Sequence, residues 1–196
     1  NGMHNVMIRP YQSHCDDIFI TQKIFNCFNF ERLVLSYTEY NIDSYNPSLF
    51  DSFNILAPVE LKKSVHKRQA EFLAGRYTAR LGLRAFNVAD DFIVSSKNRA
   101  PIWPIDMVGS ISHTSTKAMT AIGMKDDFEY IGIDIETIIT ESDYVNILDL
   151  ILVKNEHRWL TPNSELLLTI IFSAKESLFK ALYPLVNIYF DFVDAQ

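Results

Sequence analysis

The chain has few cysteines and no long apolar run. Its 196 residues include two cysteines, Cys15 and Cys27, which are too far apart for a Cys-x-x-Cys unit. This argues against a zinc site or a disulfide framework, so we expect both to be reduced thiols. The longest apolar run, Leu166 to Phe172, is interrupted by Thr169. It is much shorter than the roughly 20 apolar residues that span a bilayer, so we expect no membrane segment.

The chain also lacks a secretory leader and a positive overall charge. Its N-terminus has no basic start followed by an apolar stretch and a small-residue cleavage site, so we expect a cytoplasmic protein. The formal net charge of −6 argues against a general nucleic-acid binder. One short stretch is nevertheless rich in basic residues, which predicts either a local positive patch or a solvated helix face. These residues are Lys62, Lys63, Lys67, Arg68, Arg76, Arg80 and Arg84.

The order of the predicted elements indicates an α+β protein. Apolar residues make up 48% of the chain, enough for a globular core in one domain or in two small halves. Composition and periodicity predict strands over 32–40, 109–113, 117–124 and 130–136, a loop over 41–58, and helices over 59–83 and from 164 to the stop at Pro184. Strands that group with helices, rather than alternate with them, are typical of the α+β class.

Two acidic patterns suit a divalent cation. Asp134 and Glu136 are two residues apart in an apolar run, and alternate side chains of a strand share a face, roughly 7 Å apart. Glu176 and Lys180 are four residues apart in a predicted helix, about 6 Å from each other on one face. Together they would hold a hard cation against a phosphate. Alternatively, the first pair faces solvent, and Glu176 only pairs with Lys180 along the helix.

These patterns, together with three others, resemble the 4′-phosphopantetheinyl transferases of the surfactin and enterobactin type. That family loads carrier proteins with the arm of coenzyme A. The other matches are the run Gly109-Ser110-Ile111-Ser112-His113, the run from Arg99 to Pro104, and the basic segment from Lys67 to Arg80. They follow the family's order and spacing over residues 65 to 194, and the wording of 71–76 and 108–113 is nearest to the enterobactin type.

The resemblance implies a fold of two pseudo-symmetric α/β halves. Each half would be a small, mostly antiparallel sheet with helices, and the ligand cleft would lie between them. Residues 1–126 would form the half that binds the 3′-phosphate side of coenzyme A, and residues 127–196 the half with the metal site. Since one chain would build the whole cleft, we expect a monomer. Residues 188–193 have strand-like composition, and the family's further strands lead us to expect a truncated C-terminus.

The resemblance also implies roles for the acidic motifs. Asp134, Glu136 and Glu176 would bind Mg²⁺, with Mn²⁺ as the alternative ion. Lys180 would face the phosphates of coenzyme A and stabilise the leaving group. Lys175 would lie at the margin of the site, although either lysine could be ordinary surface charge.

Further residues are implied for the coenzyme and for proton transfer. The 3′-phosphate end of coenzyme A would be held by Ser112, His113, Arg76, Arg80 and Arg99. A lone histidine such as His113 is otherwise more often a structural residue. Glu156 lies between the two acidic motifs, where the family often carries a glutamate that could act as the general base. The alternatives are a metal-bound water as the base and an exposed helical position for Glu156.

The sequence therefore predicts a magnesium-dependent transferase that moves 4′-phosphopantetheine from coenzyme A to a serine of an apo carrier protein. The carrier would be an aryl, acyl or peptidyl carrier of a siderophore or other nonribosomal pathway. Two alternatives use the same residues. One is a metal-dependent phosphoesterase that cleaves a nucleotide pyrophosphate with water, and the other is a non-catalytic module that binds coenzyme A or docks a carrier.

Overall fold

The computed structural model describes residues 18–26, 32–88, 92–96, 100–160 and 164–186. Four strands form one antiparallel sheet in the order β1-β2-β6-β5, and β3 pairs with β4 separately. The strands are β1 (Ile20–Asn26), β2 (Leu33–Tyr40), β3 (Val94–Ser95), β4 (Pro101–Ile102), β5 (Met107–His113) and β6 (Lys117–Met124). The helices are α1 (Leu49–Ser52), α2 (His66–Ala85), α3 (Glu141–Ile151) and α4 (Glu165–Val186), and single 3-10 turns occupy Ile42–Ser44, Leu61–Lys63 and His157–Trp159.

Helix α2 packs across one face of the sheet because its apolar residues recur at helical spacing. Ala70, Leu73 and Leu81 are almost completely buried, as the sequence predicts. Phe19 and Tyr40 from the sheet join them in one core cluster. Two buried hydroxyls pair within this contact: those of Thr38 in β2 and Thr78 in α2 lie 2.6 Å apart, which satisfies both without water.

A separate core joins the two helices of the C-terminal part. Ile151 and Leu152, at the end of α3, pack against the fully buried Leu168 of α4. Thr140 begins α3, since its side chain accepts the amide of Asp143. No helix among the described residues is long and apolar enough to cross a membrane.

The α+β class is confirmed, but four predicted elements differ from the structure. The loop predicted over 41–58 contains the 3-10 turn Ile42–Ser44 and helix α1. The helix predicted from residue 59 begins at His66, after a 3-10 turn. Pro184 does not stop α4, which continues to Val186, because proline there removes a single hydrogen bond in the last turn. Residues 130–136 form no strand; they are an irregular segment that lies against β5. The helix start at 161–163 and the strand predicted at 188–193 lie outside the described residues.

Gly132 lets this segment approach α4 closely. A Cβ atom at residue 132 would lie 1.9 Å from the carbonyl oxygen of Ser177 and 2.7 Å from the amide nitrogen of Ala181. Both are backbone atoms within a helix, so they cannot rotate away. The position therefore requires glycine for space, and the contact fixes the distance between residues 130–136 and α4.

We expect Gly132→Ala to lower the free energy of unfolding by about 3 kcal/mol, because the methyl group must push the segment off α4. Urea unfolding followed by circular dichroism measures this. Gly75→Ala is the matched control: its Cβ would meet side chains rather than backbone, Ile111 at 3.1 Å and His113 at 4.0 Å, so we expect a change within about 1 kcal/mol. Equal effects of the two substitutions would contradict the packing argument.

Candidate functional site

Strand β5 separates two chemical environments at the edge of the sheet. Successive residues of a strand point to opposite faces. Ile111 and His113 lie on the face covered by α2, where Gly75 approaches both side chains. Ser110 and Ser112 lie on the other face, where their hydroxyls contact residues 133–135. One strand end therefore adjoins the basic helix on one face and the acidic segment on the other.

On the acidic face, Asp134, Ser112 and Lys180 form a closed triangle. The Lys180 ammonium lies 2.5 Å from Asp134 Oδ1 and 3.0 Å from Ser112 Oγ. The Ser112 hydroxyl donates to the same Asp134 oxygen at 2.9 Å. The Asp134 side chain is 2% exposed, so this charge-assisted contact is largely shielded from water. The triangle joins β5, the 130–136 segment and α4.

Glu136 and Glu176 add their charge to this group. The pKa of Glu136 is raised to about 6, first by burial and then by the neighbouring carboxylates of Asp134 and Glu176, while Lys180 opposes the rise. Burial also raises the pKa of Glu176, as does Asp134, while Lys180 lowers it. The three predicted acids are thus close enough to oppose each other's ionisation. The structure brings together all three acids and Lys180.

The donor set suits a hard cation, although no ready-formed cluster is present. Within the described ranges, no group of three or more His, Cys, Asp or Glu side chains is arranged to hold a metal ion. However, Asp134 Oδ2 is buried and, with the neighbouring acids ionised, has no hydrogen-bond donor in the described part of the chain. A buried carboxylate oxygen without a donor is costly, and a cation would satisfy it. The oxygen-only set of Asp134, Glu136 and Glu176 fits Mg²⁺ or Mn²⁺ by chemistry.

On the opposite face, α2 and β5 form a basic cleft of about 140 Å³. Arg68 donates to His113 Nε2 at 3.2 Å, and the Arg76 guanidinium lies 4.8 Å from the centre of the Phe72 ring. Arg76 is 5% exposed and donates to Ser95, but its Nε has no partner among the described residues. Two guanidinium groups with spare donors lining one cleft can bind a phosphate. Glu71 is the acidic residue of the lining.

Electrostatics keep His113 neutral and Arg76 charged at neutral pH. The pKa of His113 is lowered to about 4, first by burial and then by the cations Arg68 and Lys180. Burial beside Arg68 lowers the pKa of Arg76 to about 10, so that its guanidinium remains protonated. The cleft therefore offers two cations and one neutral imidazole. Ser112, predicted beside His113 in phosphate binding, lies on the acidic face of the strand instead.

Other predicted coenzyme-binding residues have different positions. Arg80 is 9% exposed and donates to the carbonyls of Phe53 and Asn54, so it supports a loop. Arg99 lies outside the described residues. Arg68 was not predicted individually. Arg68 is eight residues from Arg76, with Phe72 midway, so all three lie on one face of α2. This spacing is the sequence signal that could have identified Arg68 as a residue of the cleft.

Glu156 and Lys175 form a buried ion pair with each other. The Lys175 ammonium lies 2.8 Å from Glu156 Oε2 and 2.9 Å from the carbonyl oxygen of Ile151, at the end of α3. Both residues are 7% exposed. Burial alone raises the pKa of Glu156, but the hydrogen bonds from Lys175 and from the Val153 amide outweigh it and hold the pKa below its usual range. A role for Glu156 as a base would require this pair to open.

We expect Lys175→Met to destabilise the protein by about 4 kcal/mol, because it leaves Glu156 buried and unpaired. The double variant with Glu156→Gln should recover more than half of this loss. Chemical denaturation of the single and double variants measures the coupling. Arg32→Met, which removes the exposed ion pair with Asp127, is the control and should cost less than about 1 kcal/mol. Additive effects of the two buried substitutions would argue against the pair.

Two family models match adjoining parts of the chain. Residues 57–123 match the 4′-phosphopantetheinyl transferase N-terminal domain, and residues 130–196 match the 4′-phosphopantetheinyl transferase superfamily. The first match includes α2, β5 and the basic cleft. The second begins with the acidic segment and includes α4. Ser112 in the first match contacts Asp134 in the second, at the end of β5 where the two faces of the site adjoin.

Curated relatives show the same similarity. The chain is 36% identical over 137 residues to the 4′-phosphopantetheinyl transferase Npt of Nocardia iowensis, an alignment of 69% of this chain and 61% of that protein. It is 37% identical over 125 residues to enterobactin synthase component D of Escherichia coli K12, covering 62% and 58%. It is 30% identical over 154 residues to the transferase Svp of Streptomyces mobaraensis, covering 74% and 62%. The chain spans about three fifths of the length of these relatives.

Proposed function

Since the chain belongs to the 4′-phosphopantetheinyl transferase superfamily, we propose that it transfers 4′-phosphopantetheine from coenzyme A to a serine of an apo carrier protein. The second product is adenosine 3′,5′-bisphosphate. The observation that carries this proposal is the pair Ser112 and His113 at the end of β5, which contacts the acidic group on one face and the basic cleft on the other. Coenzyme A needs both, because it carries a pyrophosphate and a separate 3′-phosphate.

The basic cleft would bind the 3′-phosphate. Arg68 and Arg76 can each form paired hydrogen bonds to phosphate oxygens, and the buried Nε of Arg76 is a donor that the described residues leave unused. His113 is neutral and accepts from Arg68 at Nε2, which would orient that guanidinium in the cleft. The unfavourable proximity of two guanidinium groups would be relieved by an anion between them.

The acidic face would bind the pyrophosphate. Asp134, Glu136 and Glu176 would hold Mg²⁺, and the ion, when bound, neutralises phosphate charge as a Lewis acid. Lys180 is hydrogen-bonded to Asp134 and 27% exposed on its side chain, so its ammonium can reach phosphate oxygens at the surface of the group. There it would stabilise charge on the leaving bisphosphate. Ser112 orients both Asp134 and Lys180 through its hydroxyl.

The acceptor serine must lose a proton when it attacks the phosphorus nearer the pantetheine. Glu156 stays a predicted base, and in the structure its carboxylate is already bound by Lys175 and Val153. The pathway is also a proposal: the similarity to enterobactin synthase component D supports a carrier of siderophore or nonribosomal peptide synthesis.

We expect Asp134→Asn and Glu176→Gln each to reduce transfer at least about a hundredfold, the size of effect seen when one group that stabilises transition-state charge is removed. Intact-mass spectrometry of an apo carrier, after incubation with coenzyme A and Mg²⁺, measures the transfer. EDTA should abolish it in the wild type. Asp149→Asn, at a side chain that is 86% exposed, is the control and should transfer at the wild-type rate.

Two other results would contradict this proposal. Cleavage of coenzyme A at the same rate with and without a carrier would indicate the phosphoesterase instead. Magnesium-dependent coenzyme A binding without modification of any carrier would indicate a binding module.

We expect Arg68→Ala to raise the KM for coenzyme A about 10- to 100-fold, because it removes a charge-assisted contact to the 3′-phosphate. The KM for 3′-dephospho-coenzyme A should change little, since that substrate lacks the phosphate. Steady-state kinetics with both substrates measure the difference. Arg32→Ala, at a surface arginine paired with Asp127, is the control and should leave both values unchanged. An equal increase in KM for both substrates would indicate that Arg68 contacts a part of coenzyme A other than the 3′-phosphate.

A further inference from the structure

We propose that Ser110 is a positioning residue that holds the acidic segment in register on β5. This proposal rests on the proposed function in one respect, since the proposed function assigns Asp134 and Glu136 to a metal site. Ser110 itself has none of the roles described above in metal binding, phosphate binding or proton transfer. It lies 5% exposed on β5, on the face that the 130–136 segment covers.

Two serine hydroxyls replace the backbone ladder that a strand would form here. The amide of Ile133 donates to Ser110 Oγ at 3.2 Å, and the amide of Ile135 donates to Ser112 Oγ at 3.2 Å. The acceptors are two residues apart on β5, and the donors are two residues apart on the segment. This matching period of two is the repeat of extended chain, so the segment runs along β5 with a defined register.

Ser110 and Ser112 have different roles. Ser112 also binds Lys180 and Asp134, so its loss would disturb the charged group directly. Ser110 makes no hydrogen bond to the acids or to Lys180 among the described residues. A substitution at Ser110 therefore tests the register of the segment without removing a group from the site.

The register matters because Asp134 lies between the two anchored amides. With Ile133 and Ile135 both fixed, the peptide of Asp134 is held on either side, and its carboxylate points at Lys180. A shift of one residue along the strand would turn Asp134 away and bring an isoleucine into its place. Gly132 limits the segment from the other side, against α4.

The test compares Ser110→Ala with Ser36→Ala. Ser36 is a completely buried serine of the same sheet, but its hydroxyl has no hydrogen-bond partner among the described residues, so its removal breaks no hydrogen bond that the structure describes. Hydrogen exchange measured by mass spectrometry on peptides covering residues 131–137 reports the amide of Ile133. We expect exchange in Ser110→Ala to be at least about threefold faster than in the wild type, with no change in Ser36→Ala.

A second measurement asks whether the register serves the site. Calorimetry with Mn²⁺ should show affinity about three- to tenfold weaker in Ser110→Ala than in Ser36→Ala, the equivalent of one hydrogen bond. In transfer assays kcat should fall while the KM for coenzyme A stays the same, because the basic cleft lies on the other face of β5. If Ser110 had only a structural role, its substitution would lower stability without this separate effect on kcat and on Mn²⁺ affinity.

Unchanged exchange in Ser110→Ala, or an equal increase in Ser36→Ala, would overturn the proposal. Faster exchange with unchanged Mn²⁺ affinity and unchanged kcat would also overturn it, since the segment would then move without effect on the acids. A wild-type chain that binds no Mn²⁺ would contradict the proposed function instead, and the exchange result would still decide the role of Ser110.

Discussion

The contact between Lys180 and Asp134 is the interaction on which the rest of the site depends. It joins α4 to a segment that has no backbone ladder of its own, and Ser112 ties both to β5. A carboxylate that is 2% exposed is stable only when a cation or several donors compensate its charge. The lysine therefore has a structural role, because it allows an acid to be buried beside a sheet. Because this compensation comes from a different element, α4 and the segment must fold together.

The alternation of side chains along β5 then places polar residues of different character on its two faces. Ser110 and Ser112 face the acidic segment, while Ile111 and His113 face α2. Because β5 is an edge strand of the sheet, a ligand can reach both faces around it. The two environments keep opposite charges apart by the thickness of the strand. A short run that alternates serine with other residues thus supports two binding regions, which a helix of the same length could not separate.

Local regularities in the sequence predicted part of this arrangement. The apolar spacing in α2 and the composition of β2, β5 and β6 depend on neighbours in sequence, and those elements are confirmed. The 130–136 segment resembles a strand in composition but has side-chain hydroxyls as partners, which no periodicity can indicate. The pairing of Lys175 with Glu156 spans 19 residues and depends on how α3 meets α4, and the fold alone reveals it. The place of Arg68 in the basic cleft could have been predicted, because its spacing of eight residues from Arg76 is visible in the sequence.

The balance of charge shows why the two faces belong to one site. Among the described residues, the acidic face holds three carboxylates against one ammonium, and burial first, then the neighbouring carboxylates, raise the pKa of Glu136 and of Glu176. The basic face holds two guanidiniums against Glu71, with His113 neutral. Neither imbalance is corrected within its own face, and β5 keeps the opposite charges from neutralising each other directly. A divalent cation on one face and a phosphate on the other would correct both. A ligand that carries one phosphate group bound through that cation and a second, separate phosphate would engage both faces at once, which neither a cation nor a single phosphate would do alone.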